Sequence, residues 1–312
     1  MNTAFFSYLA NLALALLLAP LLFGVINRVK AKVAGRHGKP LLQTYYDLAK
    51  LFRKSEVISP TTGLFFQLAP ALQLVAILAA LCLLPLGGNA SPLAFAGDFL
   101  LAAYLLGLGR FAMIVAALET GSSFEGMGAS REAAFSALAE PIFFLAISVL
   151  TSLHLDLGET HDWAFSLSLL FGGQSAGAWL SGKFELLLLP IVFFLLLLVE
   201  NSRIPVDDPT THLELTMIHE VMILDHSGPN LALILYASAL KLWFFASLVA
   251  GLLVPDLGAM GFLLWIAVIF LVACAIGLVE SSMARLRLKR VTTFLGGACA
   301  MAALVLIFSQ MR

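Results

Sequence analysis

Residues 186–208 read LLLLPIVFFLLLLVENSRIPVDD, an apolar run that ends abruptly in a polar, charged stretch. The run is typical of a membrane helix. The polar stretch continues through Glu214 and Asp225, and apolar sequence resumes at Leu231. An acidic connection between two membrane helices has to be solvated, bound to a partner, or part of an ion path.

The composition of the whole chain agrees with a membrane protein. Of its 312 residues, 61% are hydrophobic and 12% are charged, which is more apolar surface than a soluble domain can bury. Solid apolar runs favour an all-α integral membrane protein over a β-barrel, whose strands alternate. The net charge of −1 gives no reason to expect nucleic acid. The three cysteines lie in apolar runs without a CxxC pair, so we expect neither a disulfide nor a metal centre.

Hydropathy predicts a single polytopic domain over residues 1–312 with about eight transmembrane helices. The predicted spans are 4–26, 64–86, 98–118, 133–154, 184–200, 231–254, 259–280 and 291–310. Loop 27–63 carries eight basic residues, and Arg131, Arg203, Arg285, Arg287, Lys289 and Arg290 lie on the same side. The opposite side has only Lys183 and Arg312. The positive-inside rule therefore predicts that loops 27–63, 119–132, 201–230 and 281–290 are cytoplasmic and that both termini are outside.

Residues 41–54 predict an amphipathic helix on the cytoplasmic side of the membrane. Leu41, Tyr45, Leu48 and Phe52 recur at helical spacing. Such a helix lies in the membrane interface. The pattern leaves open whether it is a surface anchor, a wall of a partner interface, or a lipid-side entrance.

Three charged residues lie deep inside predicted spans, away from their ends. Arg110 and Glu140 lie on the two helices of one hairpin, at depths of roughly 12 and 10 Å from its cytoplasmic end. At matched depth they can pair, either as a salt bridge that fixes packing or as an ionisable site on a proton or quinone route. Lys241 lies near the bilayer midplane, where we expect a carboxylate partner or a functional role.

The connection 119–132 and the histidines remain ambiguous from the residues alone. The connection carries Glu119, Glu125 and Glu132 with three glycines, which fits a solvated turn or an acidic mouth leading to Glu140. His212, His219 and His226 repeat every seven residues, which is too far apart to share a metal ion. They are solvated or partner-facing histidines, or members of a water-linked proton relay. The sequence shows no set of catalytic residues and no motif for a redox cofactor.

Seven segments, in order, carry a resemblance to a known family. They are RHGKP at 36–40 with Gln43, Asp47 and Lys50 after it, RF at 110–111, ETGSSF at 119–124, GASREA at 128–133, EP at 140–141, ENSRIPVD at 200–207 and ESSMARLR at 280–287. Together they resemble the membrane protein that respiratory complex I, where it is called subunit 1, shares with the group 4 membrane-bound NiFe hydrogenases. The similarity covers essentially the whole chain and is closer to the hydrogenase branch, which includes formate hydrogenlyase and hydrogenase-4.

The resemblance implies a subunit of the cytoplasmic (inner) membrane that anchors a peripheral redox arm and couples electron transfer to proton or Na⁺ translocation. Implied partners are a NiFe hydrogenase-like large subunit, iron–sulfur subunits, antiporter-like membrane subunits and the lipid bilayer. The implied coupling path is Glu119, Glu132, Glu140, Glu200, Asp207, Glu214 and Asp225, with Arg110 and Lys241 beside it and His219 and His226 as a possible relay. The implied docking surface is Arg36, Gln43, Asp47, Lys50, Arg203 and Arg285.

Cofactors and alternatives stay open at this point. We expect no cofactor bound by this chain. The resemblance to complex I keeps quinone binding as an alternative. The family's Glu-rich segment after Asp207 is here mostly replaced by PTTHL at 209–213, which argues against a bound quinone. The alternatives are the quinone-chamber subunit of complex I, a stand-alone secondary transporter, and a purely structural anchor.

Overall fold

The computed structural model describes residues 2–156, 165–172, 185–208, 216–255 and 257–310. These residues form helices, with one isolated β-bridge between Leu86 and Asn89 and no strand in the described ranges. The helices are α1 (Asn2–Val33), α2 (Gln43–Phe52), α3 (Leu64–Leu83), α4 (Asp98–Glu119), α5 (Ser123–Asp156), α6 (Leu167–Phe171), α7 (Glu185–Glu200), α8 (His219–Met222), α9 (Gly228–Leu253), α10 (Ala259–Ser282) and α11 (Leu288–Gln310).

The predicted all-α membrane architecture is confirmed. In the described part of the chain, seven helices are long and apolar enough to cross a membrane, and a shorter apolar helix spans Leu187–Glu200 at the position predicted for the fifth crossing. Contacts bring the predicted basic loops together at one end of the bundle, here called the basic end: Lys30 and Arg203 both pair with Glu280, and the N–H of Val57 donates to the hydroxyl of Ser227. Predicted Glu214 lies outside the described residues.

The fourth crossing differs from the prediction at its start. Helix α5 begins at Ser123, ten residues before the predicted position, so the connection predicted over 119–132 shrinks to residues 120–122. The glycines explain the difference. Gly121 takes the left-handed turn at φ 70°, whereas Gly128 lies inside the helix, where a Cβ would collide with the side chain of Val221. Gly128 therefore permits close packing rather than a turn.

Helix α9 is the central helix of the bundle. Of its most apolar 18-residue window, 72% is buried within the protein, against 28–44% for the other long helices. It packs against α1, α3, α7 and α10. Its hydroxyl-bearing Tyr236 donates to the carbonyl of Leu16 in α1 at 3.0 Å. Because Pro20 has no N–H, that carbonyl lacks its helical partner, and Tyr236 supplies one.

The predicted amphipathic helix is present as α2. It lies against α1 and α9, where Tyr45 donates to the carbonyl of Leu17 and Leu48 is buried. Leu41 and Phe52, predicted on the same apolar face, are exposed. This exposure fits contact with lipid or with another protein.

At the opposite end of the bundle, buried polar groups bind backbone. The Tyr8 hydroxyl lies within hydrogen-bonding distance of three carbonyls at the end of α3, those of Leu81, Cys82 and Leu84, at 3.3, 2.8 and 3.1 Å. The fully buried Asp98 accepts from the Leu167 N–H at 2.6 Å and from the Ser166 hydroxyl at 2.8 Å. These contacts close helix ends that would otherwise leave polar groups unpaired.

Candidate functional site

A buried charge cluster lies toward the basic end of the bundle, around Glu200 at the end of α7. Nη2 of Arg110 in α4 donates to both carboxylate oxygens of Glu200, at 2.7 and 2.6 Å. Nζ of Lys241 in α9 lies 2.9 Å from Oε2 of the same carboxylate. The Glu200 and Arg110 side chains are only 7% and 9% exposed. Glu200 is therefore the carboxylate that we expected for Lys241.

Two further carboxylates flank Arg110 from α5. Glu132 Oε1 lies 3.8 Å from Nε of Arg110, and Glu140 Oε1 lies 3.5 Å from Nη1. The predicted approach of Arg110 to Glu140 is present, but the closest anion to Arg110 is Glu200. The Glu140 side chain is 56% exposed, on the lateral surface of a membrane-crossing helix. Below, the Glu200 hub means Arg110, Glu132, Glu140, Glu200 and Lys241.

The hub borders open space on three sides. Three cavities, of about 660, 350 and 280 Å³, are all lined by both Arg110 and Glu200. The largest also reaches Lys241 and Glu132, and the second reaches Glu140, Phe143 and Phe144.

A fourth cavity continues the largest one toward the loops of the basic end. Its volume is about 460 Å³, and it shares Phe23, Asn201, Ser202, His219 and Ser238 with the largest cavity. Its further lining residues include Arg203, Asp207 and Glu220. The two neighbouring cavities therefore lie between the loop residues and the Glu200 hub.

A second charge cluster fixes the loop that follows α7. Asp207 is bound by Arg285 at 3.1 Å and accepts the backbone N–H groups of Ile218 and His219, each at 3.1 Å. Burial raises the pKa of Asp207 above its ordinary value, although Arg285 and the N–H donors oppose the shift. Asp207 thus ties three loop segments together.

Glu280, in the last turn of α10, completes this second cluster. Its side chain is fully buried and lies 2.8 Å from Nζ of Lys30 and 3.3 Å from Nη1 of Arg203. The Arg203 guanidinium also lies 4.7 Å from the centre of the Phe23 ring. Neither Glu280 nor Lys30 was singled out from the sequence. The signals were their position at the basic ends of two apolar runs and, for Glu280, its place at the start of the segment ESSMARLR at 280–287.

The docking residues inferred from the resemblance divide into two groups. Arg36, Asp47 and Lys50 are exposed, and Gln43 is half-buried and donates to Asp47 at 2.8 Å. Arg203 and Arg285 instead lie largely inside the protein, because each pairs with a buried carboxylate. The exposed part of the inferred docking set is therefore smaller than expected and lies on α2 and the segment before it.

The two histidines of the inferred relay lie in different surroundings. His219 lines both large cavities. His226 is buried and stacks on Phe66 with ring centres 3.9 Å apart, and neither ring nitrogen has a hydrogen-bond partner in the described structure. Burial lowers the pKa of His226 to about 4, so the ring is neutral near pH 7. Only His219 is placed beside the Glu200 hub.

The remaining acidic residues of the inferred path lie away from the four cavities described above. Glu119 accepts the N–H of Phe66 at 2.6 Å and so caps the start of α3, where Gly63 brings no side-chain cap. Asp225 is exposed, and its N–H donates to the buried Glu125 at 3.2 Å. Within the described ranges, no group of three His, Cys, Asp or Glu residues is placed to hold a metal ion.

Comparisons with known proteins agree with one another. The model of the NADH dehydrogenase family matches residues 6–311. The chain is 35% identical to hydrogenase-4 component C of Escherichia coli over 79% of this chain and 74% of that protein. It is 30% identical to formate hydrogenlyase subunit 4 of Escherichia coli over 86% of this chain and 87% of that protein.

A solved structure has the same fold. It is a chain of the membrane-bound sulfane sulfur reductase, an archaeal respiratory membrane complex, with a TM-score of 0.82 at 22% identity. The superposition covers 98% of this chain and 99% of that one.

Proposed function

Because this chain belongs to the NADH dehydrogenase family, we propose that it is the integral membrane subunit of a hydrogenase-4-like or formate hydrogenlyase-like complex. It anchors a peripheral redox arm and couples electron transfer in that arm to proton or Na⁺ translocation. It is a non-catalytic subunit of an oxidoreductase complex, and its partners are the hydrogenase-like and iron–sulfur subunits of the arm and antiporter-like membrane subunits. Both relatives are named as parts of such complexes, which favours the hydrogenase branch.

The observation that carries the proposal is the Glu200 hub at the junction of three cavities. The hub has three carboxylates and two cations, so with all five ionised it bears one excess negative charge. In an environment of low dielectric constant, a charge that arrives or moves nearby changes which carboxylate holds a proton. A redox-linked change at the loops of the basic end can thus alter proton occupancy at the hub.

The orientation follows from the basic loops. We propose that the basic end faces the cytoplasm, that both termini face outward, and that the membrane is the cell's inner membrane. The arm then docks on the exposed side of α2 and the segment before it, where Arg36, Asp47 and Lys50 are accessible. The lateral exposure of Glu140 supports contact with a second membrane subunit, since lipid supplies no partner for a carboxylate.

The second candidate is the quinone-chamber subunit of an NADH-quinone oxidoreductase, which the name of the family favours. The lining residues of the largest cavity fit a quinone poorly. Quinone oxygens accept hydrogen bonds, but Arg110 and Lys241 are both paired with Glu200, and among their buried nitrogens in the described structure only Nε of Arg110 lacks a hydrogen-bond partner. Gln73 and Asn201, also lining residues, each have a buried carbonyl oxygen without a partner. We therefore propose that turnover requires no quinone.

The test compares Glu200→Gln with Asp98→Asn in the whole complex, reconstituted in vesicles. Glu200→Gln should leave hydrogen evolution measurable but reduce ion translocation per hydrogen by about tenfold or more, because the amide neither binds nor releases a proton by titration near neutral pH. Asp98→Asn changes a fully buried carboxylate at the opposite end of the bundle. It should lower the yield of the complex and leave translocation per hydrogen unchanged.

Normal coupling in Glu200→Gln would refute the proposed role of the hub. Turnover that depends on added quinone and is blocked by quinone-site inhibitors would instead support the second candidate. Tagged wild-type chain should also co-purify in mild detergent with a NiFe hydrogenase-like subunit, and recovery of NADH-linked subunits would contradict the hydrogenase assignment.

A further inference from the structure

We infer that Glu280 is a positioning residue that neutralises and holds Arg203, and thereby limits the positive charge that the loops impose on the Glu200 hub. The inference rests on the proposed function, because it concerns how the same site is tuned. The residues that carry it are Lys30, Arg203, Asp207, Glu280 and Arg285, here called the loop clamp.

The loop clamp joins two chain segments by two ion pairs. The loop after α7 supplies one cation and one anion, Arg203 and Asp207, and the segment at the end of α10 supplies one of each, Glu280 and Arg285. The pairs cross, with Arg203 on Glu280 at 3.3 Å and Asp207 on Arg285 at 3.1 Å. Two opposed ion pairs fix both the distance and the register of the two segments, so neither can slide past the other without exposing a buried charge.

A backbone hydrogen bond holds the same two segments together. The N–H of Leu286 donates to the carbonyl of Pro205 at 2.9 Å. Pro205 lies between Arg203 and Asp207 in its loop, and Leu286 directly follows Arg285. We therefore expect a single clamp substitution to leave this backbone contact in place, so that the effect of the lost charge is separable from loss of the loop structure.

The charges of the two clusters are complementary. With all groups ionised, the loop clamp has three cations and two carboxylates, a surplus of one positive charge. The Glu200 hub has the opposite surplus. Arg203 follows Glu200 by three residues and lines the cavity that continues toward the hub. Glu280 thus sets how much positive potential the hub experiences.

The groups that face each cluster are few. Facing the hub are Arg110 from α4, Glu132 and Glu140 from α5, Lys241 from α9, and His219 and Glu220 across the joined cavities. Facing Glu280 are Lys30 from α1 and Arg203 from the loop after α7. Arg131 from α5 faces the Asp207–Arg285 pair of the clamp. Removing the charge of Glu280 leaves both cations without their shared partner.

The experiment measures how translocation per hydrogen depends on pH, in vesicles that contain the whole complex. Glu280→Gln should move the alkaline limb of the profile down by about 0.5–1 pH unit, because added positive potential disfavours a protonated carboxylate at the hub. Arg203→Gln should move the limb up by a similar amount. The double variant should lie near the wild type, and Glu280→Asp should restore the wild-type profile.

A merely structural role for Glu280 gives a different pattern. It lowers the amount of assembled complex in both single variants, leaves the alkaline limb where it is, and makes the double variant worse than either. That pattern would overturn the inference. Lys30→Gln serves as a milder probe, since Lys30 is partly exposed, and it should move the limb in the same direction as Arg203→Gln.

Ion translocation by wild-type vesicles distinguishes a failure of this inference from a failure of the proposed function. If wild-type vesicles translocate no ions, the proposed function fails. The clamp is then tested by thermal unfolding of the detergent-purified complex, in which the Glu280 and Arg203 variants must show non-additive losses of the unfolding midpoint. Additive losses would overturn the pairing. If wild-type vesicles translocate ions and the limb does not move in Glu280→Gln, the inference alone is wrong.

Discussion

The basic end of the bundle and its opposite end bury polar atoms to a similar extent but use them differently. At the opposite end, Tyr8 and Asp98 bind backbone groups at fixed helix ends. At the basic end, Glu200 contacts two cations and Arg110 contacts three carboxylates, and both residues line open cavities. Burial of a polar group is therefore weak evidence for function. A buried polar group that has several charged partners and lies next to open space is stronger evidence for function.

The largest expected effect comes from removing the cation that the carboxylates of the hub share. Arg110→Met leaves Glu200 with Lys241 alone and removes the cation beside Glu132 and Glu140. We expect the free energy of unfolding to fall by about 3–5 kcal/mol, the typical cost of a broken buried ion pair. Denaturation of the detergent-purified chain measures this loss. A loss below about 1 kcal/mol would mean that Arg110 contributes no more to the free energy of unfolding than a single hydrogen bond at the opposite end.

An intermediate effect is expected at His226, which is buried at the basic end but lies outside the hub. The pKa of His226 is lowered in the folded state to about 4, below an ordinary value of about 6.5. The neutral ring is thus favoured by folding, so its contribution is complete above about pH 6.5 and is lost as the pH falls toward 4. At pH 5 the loss is about 2 kcal/mol.

His226→Phe tests this by keeping an aromatic ring against Phe66 and removing the titration. Unfolding midpoints at pH 7.5 and pH 5 should differ less in the variant than in the wild type. Equal pH dependence in the two proteins would show that His226 does not titrate in this range.

The smallest effect is expected at the opposite end. Tyr8→Phe removes one hydroxyl that bonds carbonyls near the end of α3, at a cost of about 1 kcal/mol. Ion translocation per hydrogen should not change, since the hub is untouched. Reduced coupling in an assembled Tyr8→Phe complex would break the comparison between the two ends.

The positions of the helices could be read from the sequence because hydropathy is a local property. Most predicted spans end within a few residues of the observed helices. The start of α5 could not be read from the sequence, because Gly128 looks like a turn residue until Val221 is known to pack against it. A single sequence gives the polarity of each segment but not which segments touch.

The charge cluster shows the same limit. Matched depth on one hairpin correctly suggested that Arg110 approaches Glu140, since both helices are close in sequence. Glu200 is ninety residues from Arg110, and its pairing depends on how α4, α7 and α9 pack. Arg203 and Arg285 were expected at the surface for the same reason, because their buried partners lie on other segments.

The contact between Glu119 and Phe66 has a consequence for biosynthesis. The start of α3 obtains its N–H partner from the last residue of α4, which the ribosome makes 53 residues later. Until that residue emerges, the first turn of α3 relies on water or lipid headgroups for hydrogen bonds. We therefore expect α3 and α4 to enter the bilayer as a pair. Nascent chains halted before Glu119 should leave α3 accessible to aqueous labelling, whereas chains halted well after it should protect it.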